Sequence, residues 1–144
     1  MDEKPKELKD HSGYLRYAVE NCLIAFEELG KVNGHLLKKI SQHEPINIQH
    51  EGSLNRIIQD YLILKVAGLF DEDSRTASFH HEFCNIKKYK KIRKSNIIKY
   101  IIKLRHKKVA HADKNYLFKF PTTSIIISSN LRNLLNSLLD LLEN

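Results

Sequence analysis

Apolar residues return every three or four positions through most of this 144-residue chain, and that rhythm leaves few folds open. Leu15, Val19, Cys22, Leu23, Phe26, Leu29, Leu36, Leu37 and Ile40 fall on one side of a helix, because 3.6 residues per turn bring such positions together. The spacing predicts a first helix over residues 12–41, with Ser12 as its N-cap. Gly30, Asn33 and Gly34 weaken its middle and invite a bend. Residues 42–52, with Pro45 and Gly52, read as a loop. Behind Ser53, Leu54, Ile57, Ile58, Tyr61, Leu62, Val66 and Leu69 form a second stripe that ends near Gly68. A short third helix is expected over 76–85.

A fourth helical region spans 86–110, with a break near Ser95; Ile97, Ile98, Ile101, Ile102, Leu104 and Val109 supply its buried side. The last helix starts around Pro121 and Thr122 or Thr123. It carries Ile125, Ile126, Leu131, Leu134, Leu135, Leu138, Leu139 and Leu142, a side wide enough for the core and for a partner. The expected fold class is therefore all-α, an antiparallel helical bundle of about five helices. Residues 1–144 form a single domain, with about 1–11 as a flexible N-terminus. No apolar run reaches the ~20 residues of a membrane span, and the polar start has no apolar signal core. A cytoplasmic protein without a membrane partner is expected. Cys22 and Cys84 match no redox or metal spacing and suit small buried hydrophobes. The His43, Glu44, His50 and Glu51 set in the loop matches no familiar ligand pattern either. No metal and no cofactor are expected.

Charge narrows the function. The formal net charge is +7, and the excess is local. Lys87, Lys88, Lys90, Lys91, Arg93, Lys94, Lys99, Lys103, Arg105, Lys107 and Lys108 are 11 of the 24 basic residues. No Asp or Glu interrupts residues 86–110. A segment of one sign attracts polyanions, and its binding weakens steeply with salt. A solvated helix face is the plain alternative. Here the run leads straight into Arg105 and His111, which favours RNA, with Lys87, Lys88, Lys90, Lys91, Lys107 and Lys108 as phosphate contacts.

Arg105 and His111 are chemically apt. Arginine is a permanent cation whose fork fits phosphate, and histidine exchanges a proton near neutrality. Six residues of ideal helix leave two side chains about 120° apart and roughly 9 Å along the axis. They do not meet automatically. The helix loosens before His111, the arginine swings round, or two subunits share the work.

The stretch Arg105, Lys107, Ala110, His111, Asp113 resembles the Arg-x(4–6)-His motif of the HEPN superfamily, in the form of its abortive-infection-protein-like branch. Leu69, Phe70 and Asp71 are similar to the Leu-Phe-Asp helix end of that branch. His106 stands where many active members carry Asn or Asp. The resemblance implies a toxin-like defence ribonuclease that works without metal, with a homodimer placing two motifs around one cleft. Arg105 would hold the scissile phosphate and His111 would transfer the proton, supported by His106, Asp113 and Asp71. Other uses of such a fold are a non-catalytic RNA- or nucleotide-binding or assembly module, or the partner of a nucleotidyltransferase or an antitoxin. Asp113 occupies the position of the tyrosine found in nucleotidyltransferase partners. The reading without chemistry pairs Arg105 with a carboxylate, Asp71 or Asp113, and has His111 cap the helix end.

Overall fold

The structure, a computed structural model, describes residues 6–43, 48–106 and 129–143. These form six helices and no strand: α1 (Lys6–Ser41), α2 (Ile48–Leu69), α3 (Phe79–Phe83), α4 (Lys87–Arg93), α5 (Asn96–Leu104) and α6 (Ser129–Glu143). The all-α bundle expected from the spacing is what the chain adopts.

α1 is the spine. Its Leu15, Val19, Cys22 and Leu29 are fully buried, with Phe26 nearly so. Each fully buried aliphatic or aromatic side chain contributes about 1.5–3 kcal/mol. α2 and α6 both lie along this stripe. Two contacts fix the direction of α6. The Arg132 guanidinium sits over the Phe26 ring at 5.3 Å, and Arg16 pairs with Glu143 at 3.6 Å. α6 therefore runs antiparallel to α1, against its first two thirds. Its Leu131, Leu135, Leu138 and Leu141 are buried, and Leu134, Leu139 and Leu142 pack against the same core. α5 closes the bundle over α2 through Ile98, Ile101 and Leu104.

Several local expectations give way. Residues 6–11 belong to α1, and Ser12 lies inside the helix, where it cannot cap. Gly30, Asn33 and Gly34 do not break α1. An isolated glycine costs about 1 kcal/mol in a helix, less than the burial that holds this one. Asn33 also has a partner: its Oδ1 accepts from Asn55 Nδ2 at 2.6 Å, and Asn55 Oδ1 accepts from Gln59 Nε2. This amide ladder ties α1 to α2, with Asn55 and Gln59 buried.

α2 begins at Ile48, so Gly52 and Ser53 are helical rather than loop and cap. Helix propagation adds a hydrogen bond per residue, which offsets one glycine. α1 ends by a different device. Ser41 Oγ donates to Lys38 O at 2.8 Å, and His43 takes φ 53°, the left-handed conformation usual after a helix end. α3 is shorter than the expected 76–85. The break near Ser95 is present, which divides the fourth region into α4 and α5. Ser95 occupies the N-cap position of α5, yet its hydroxyl donates back to Ile92 O at 2.7 Å.

Replacing Leu135 by Ala should lower unfolding stability by about 2–5 kcal/mol. Gly30→Ala should raise it by about 0.5–1 kcal/mol, since a Cβ there meets nothing within 4 Å. Urea unfolding followed by circular dichroism checks both; a Gly30→Ala loss would mean that α1 needs the glycine.

Candidate functional site

The site is built where α2 stops. Phe70 is buried and stacks on Tyr89 of α4, centroids 5.9 Å apart. That contact turns the chain out of α2 and leaves Asp71 at the surface rim. Asp71 then organises the loop. Its Oδ1 accepts from Asp73 N–H at 3.0 Å, and its carbonyl accepts from the buried Ser78 hydroxyl at 2.6 Å. Asp73 repeats the arrangement, accepting from Arg75 N–H at 2.9 Å and from the Arg75 guanidinium at 3.1 and 2.8 Å. These contacts hold the Asp73 carboxyl below its usual range. His81 Nε2 lies 2.7 Å from Asp73 O. Aspartates that bind amides two residues ahead make such turns.

Arg105 arrives from the other side. It follows α5, its backbone N–H shared between Ile101 O and Ile102 O, and the chain widens into a π turn at Arg105 and His106. Single π turns occur often at functional sites. Arg105 Nη1 stands 3.7 Å from Asp71 Oδ2, with the two side chains 30% and 29% exposed. The structure thus joins Arg105 to Asp71. His106 is exposed beside it. His111, Asp113, Lys107 and Lys108 lie outside the described residues.

The basic run divides by helix geometry. On α4, Tyr89 and Ile92 are buried. At about 100° per residue, Lys87, Lys90, Lys91 and Lys94 occupy the opposite arc, and all four are exposed. Lys88 lies beside the buried arc and reaches α6, where its Nζ is 3.7 Å from Asp140 Oδ2. On α5, Lys99 and Lys103 are exposed. Arg105 is turned about 120–160° from them, towards Asp71. Lys99 and Lys103 therefore face a different way from Arg105.

Sequence reasoning passed over Ser78 and Tyr89, which support the loop from below. The Asp-x-Asp-x-Arg spacing at 71–75 was the available signal. Tyr89 is 2% exposed, its ring edge-on to His80, and its hydroxyl has no hydrogen-bond partner among the described residues. Burial pushes this phenol up to about 12, against a lowering pull from Arg93. Burial likewise pushes the Cys22 thiol up to about 12. Among the described residues no three His, Cys, Asp or Glu side chains are grouped to hold a metal, and no helix is long and apolar enough to cross a membrane.

Were RNA to bind through the exposed face of α4, replacing Lys87, Lys90 and Lys91 together by Ala would weaken that binding and flatten its salt dependence. Lys88→Ala alone should change it less, because that charge is shared with Asp140. Unchanged affinity in the triple variant would return the lysines to a solvated face. Tyr89 supplies a pH test. An unfolded tyrosine ionises near 10, below the folded value, so the contribution is intact below pH 10 and is lost as pH rises towards about 12. Tyr89→Phe should remove that alkaline loss and cost little at pH 7, where the unpartnered hydroxyl gives nothing up. Urea unfolding at pH 7 and pH 11 measures both. Compared with models of protein families, with curated proteins and with solved structures, the chain matches none.

Proposed function

We propose that this protein is a HEPN-type endoribonuclease, a toxin-like defence protein that cleaves RNA without metal. The observation that carries the reading is Arg105: a partly exposed guanidinium at a widened helix end, aimed by Asp71, following an acid-free basic run and preceding His111 by six residues. Arginine donates two parallel hydrogen bonds to a phosphate, which gives both affinity and orientation.

In this mechanism His111 takes the proton from a ribose 2′-OH. The 2′-oxygen attacks the adjacent phosphorus, and the bond from phosphorus to the 5′-oxygen breaks. A protonated imidazole, or the second copy's, returns a proton to the departing 5′-oxygen. The products are a 2′,3′-cyclic phosphate and a 5′-hydroxyl. Arg105 stabilises the charge that gathers on the phosphoryl oxygens in between, the largest contribution available to a site of this kind. The outward lysines of α4 hold flanking phosphates. Asp113 orients His111. A homodimer supplies the second motif and so resolves the 120° that separates Arg105 from His111 on an ideal helix. An antitoxin or a nucleotidyltransferase is the regulatory partner that suits such a toxin.

One observation favours a second reading. The ion pair with Asp71 is what a purely structural arginine would make, and His106 replaces the commoner Asn or Asp. Both suit a non-catalytic RNA-binding or assembly module.

RNA incubated with purified protein in EDTA, with product ends identified, separates the two. Arg105→Ala and His111→Ala should each abolish cleavage while the fold persists. His111→Ala should leave RNA binding nearly intact and cost about 10²–10⁴ in rate. Arg105→Lys should restore part of the activity, since it returns the charge without the fork. A wild-type protein that binds RNA but leaves it whole would select the non-catalytic module.

A further inference from the structure

Asp71 holds Arg105 in an arrangement that a phosphate could also occupy. The Nη1 to Oδ2 distance of 3.7 Å is beyond hydrogen-bond length. Attraction between the charges orients the guanidinium, yet no hydrogen bond to this carboxylate uses its donors. The carboxylate is not free to follow the arginine. Its other oxygen is fixed by Asp73 N–H at 3.0 Å. The backbone behind it is fixed at both groups, with the amide donating to Gly68 O at 3.2 Å and the carbonyl accepting from Ser78 Oγ at 2.6 Å. Arg105, by contrast, hangs from a π turn at the end of its helix on a long side chain. A carboxylate held by its own turn therefore faces a cation on a long side chain, and both are open to solvent by about a third.

We propose that Asp71 is a resident substitute for phosphate: it keeps Arg105 aimed in the empty protein and competes with an incoming phosphodiester for the same guanidinium. The proposal rests on the reading of Arg105 as a phosphate-binding group, and it does not depend on cleavage. An approaching phosphodiester brings one negative charge to a site whose positive charge is already balanced. It must draw Arg105 off a carboxylate that stays behind. Asp71 thus lowers the affinity for phosphate and reserves Arg105 for a ligand that offers both oxygens of a fork. It is a positioning residue; it touches no reacting atom.

The test uses a 2′-O-methyl RNA oligonucleotide, which the protein can bind and cannot cleave, at low salt in EDTA. Asp71→Asn keeps an oxygen to accept from Asp73 N–H and removes the charge. It should tighten binding about two- to threefold, the scale of a partly exposed ion pair without a hydrogen bond. The gain should vanish when Arg105→Ala is also present, as coupling through a shared partner requires. Glu72→Gln removes an exposed carboxylate from the neighbouring position and should give no comparable gain.

Equal or weaker binding by a folded Asp71→Asn protein overturns the proposal while leaving Arg105 as a phosphate ligand. The same gain in the Arg105→Ala background, or from Glu72→Gln, overturns it in favour of bulk charge. Binding that ignores Arg105→Ala altogether removes the reading beneath it. If Asp71→Asn lowers the melting temperature, Asp71→Ser supplies a shorter acceptor for the same turn. On wild-type protein, titration with dimethyl phosphate should move the Arg105 Nε–H resonance, and Asp71→Asn should saturate at lower concentration. A resonance that stays still in both also refutes the competition.

Discussion

The stripe of α1 from Leu15 to Leu29 is gripped on two sides, by α2 and by α6, and everything else is placed relative to that grip. α6 is set antiparallel by an arginine over Phe26 and an ion pair at Arg16. α2 is set by the amide ladder from Asn33. Exposed ion pairs and cation–π contacts are each worth about 1 kcal/mol or less, so they select direction while the buried leucines supply stability. With α2 fixed, Phe70 and Asp71 have a defined place at its end. With α5 packed on α2, Arg105 is delivered to the same spot. The candidate site is thus a consequence of how two helices end, each end held by contacts inside the bundle.

How much of this could be read beforehand follows from the range of each interaction. Burial patterns repeat along the chain, so the stripes of α1, α2, α5 and α6 were legible. The break at Ser95 was legible because serine is a favoured N-cap residue. Helix ends were harder. Ser12 and Ser53 look like caps, but capping is worth about 1 kcal/mol and the helices simply run past them. His43 ends α1 in a conformation that favours glycine or asparagine, and no sequence rule points to histidine there. Asn33 reads as a weak point of the helix until Asn55, 22 residues away, is placed beside it. Asp71 as a partner of Arg105 was among the alternatives open to the sequence. The fixing of Asp71 by Ser78 was not, because that contact needs the loop already folded.

The distribution of apolar surface bears on self-association. The large apolar side chains that stay well exposed are Tyr14, Tyr17, Ile24, Leu37 and Ile40 on α1, Leu54, Ile57 and Leu64 on α2, and Ile86 before α4. None is on the described part of α6, whose leucines are engaged with the core. An interface through α6 would have to use side chains that the bundle already half covers. Scattered apolar residues are ordinary on a protein surface; their concentration on two adjacent helices is the more informative feature.

The unequal lengths of α1 and α6 set up a gradient along the spine. α1 has 36 residues and α6 has 15, so helix rise alone makes them about 54 and 22 Å long. The first two thirds of α1 carry all of its buried apolar side chains, and both α2 and α6 pack on this helix. Beyond Leu29 no described apolar residue of α1 is fully buried, and Leu37 and Ile40 are more than half exposed. The amide ladder at Asn33 lies between that end and the buried stripe. Amide hydrogens between Val19 and Leu29 should exchange with solvent only when the whole domain opens, whereas those past Asn33 should exchange through local fraying. Such a division would make the spine one helix by geometry and two by stability, with Asn33 near the seam.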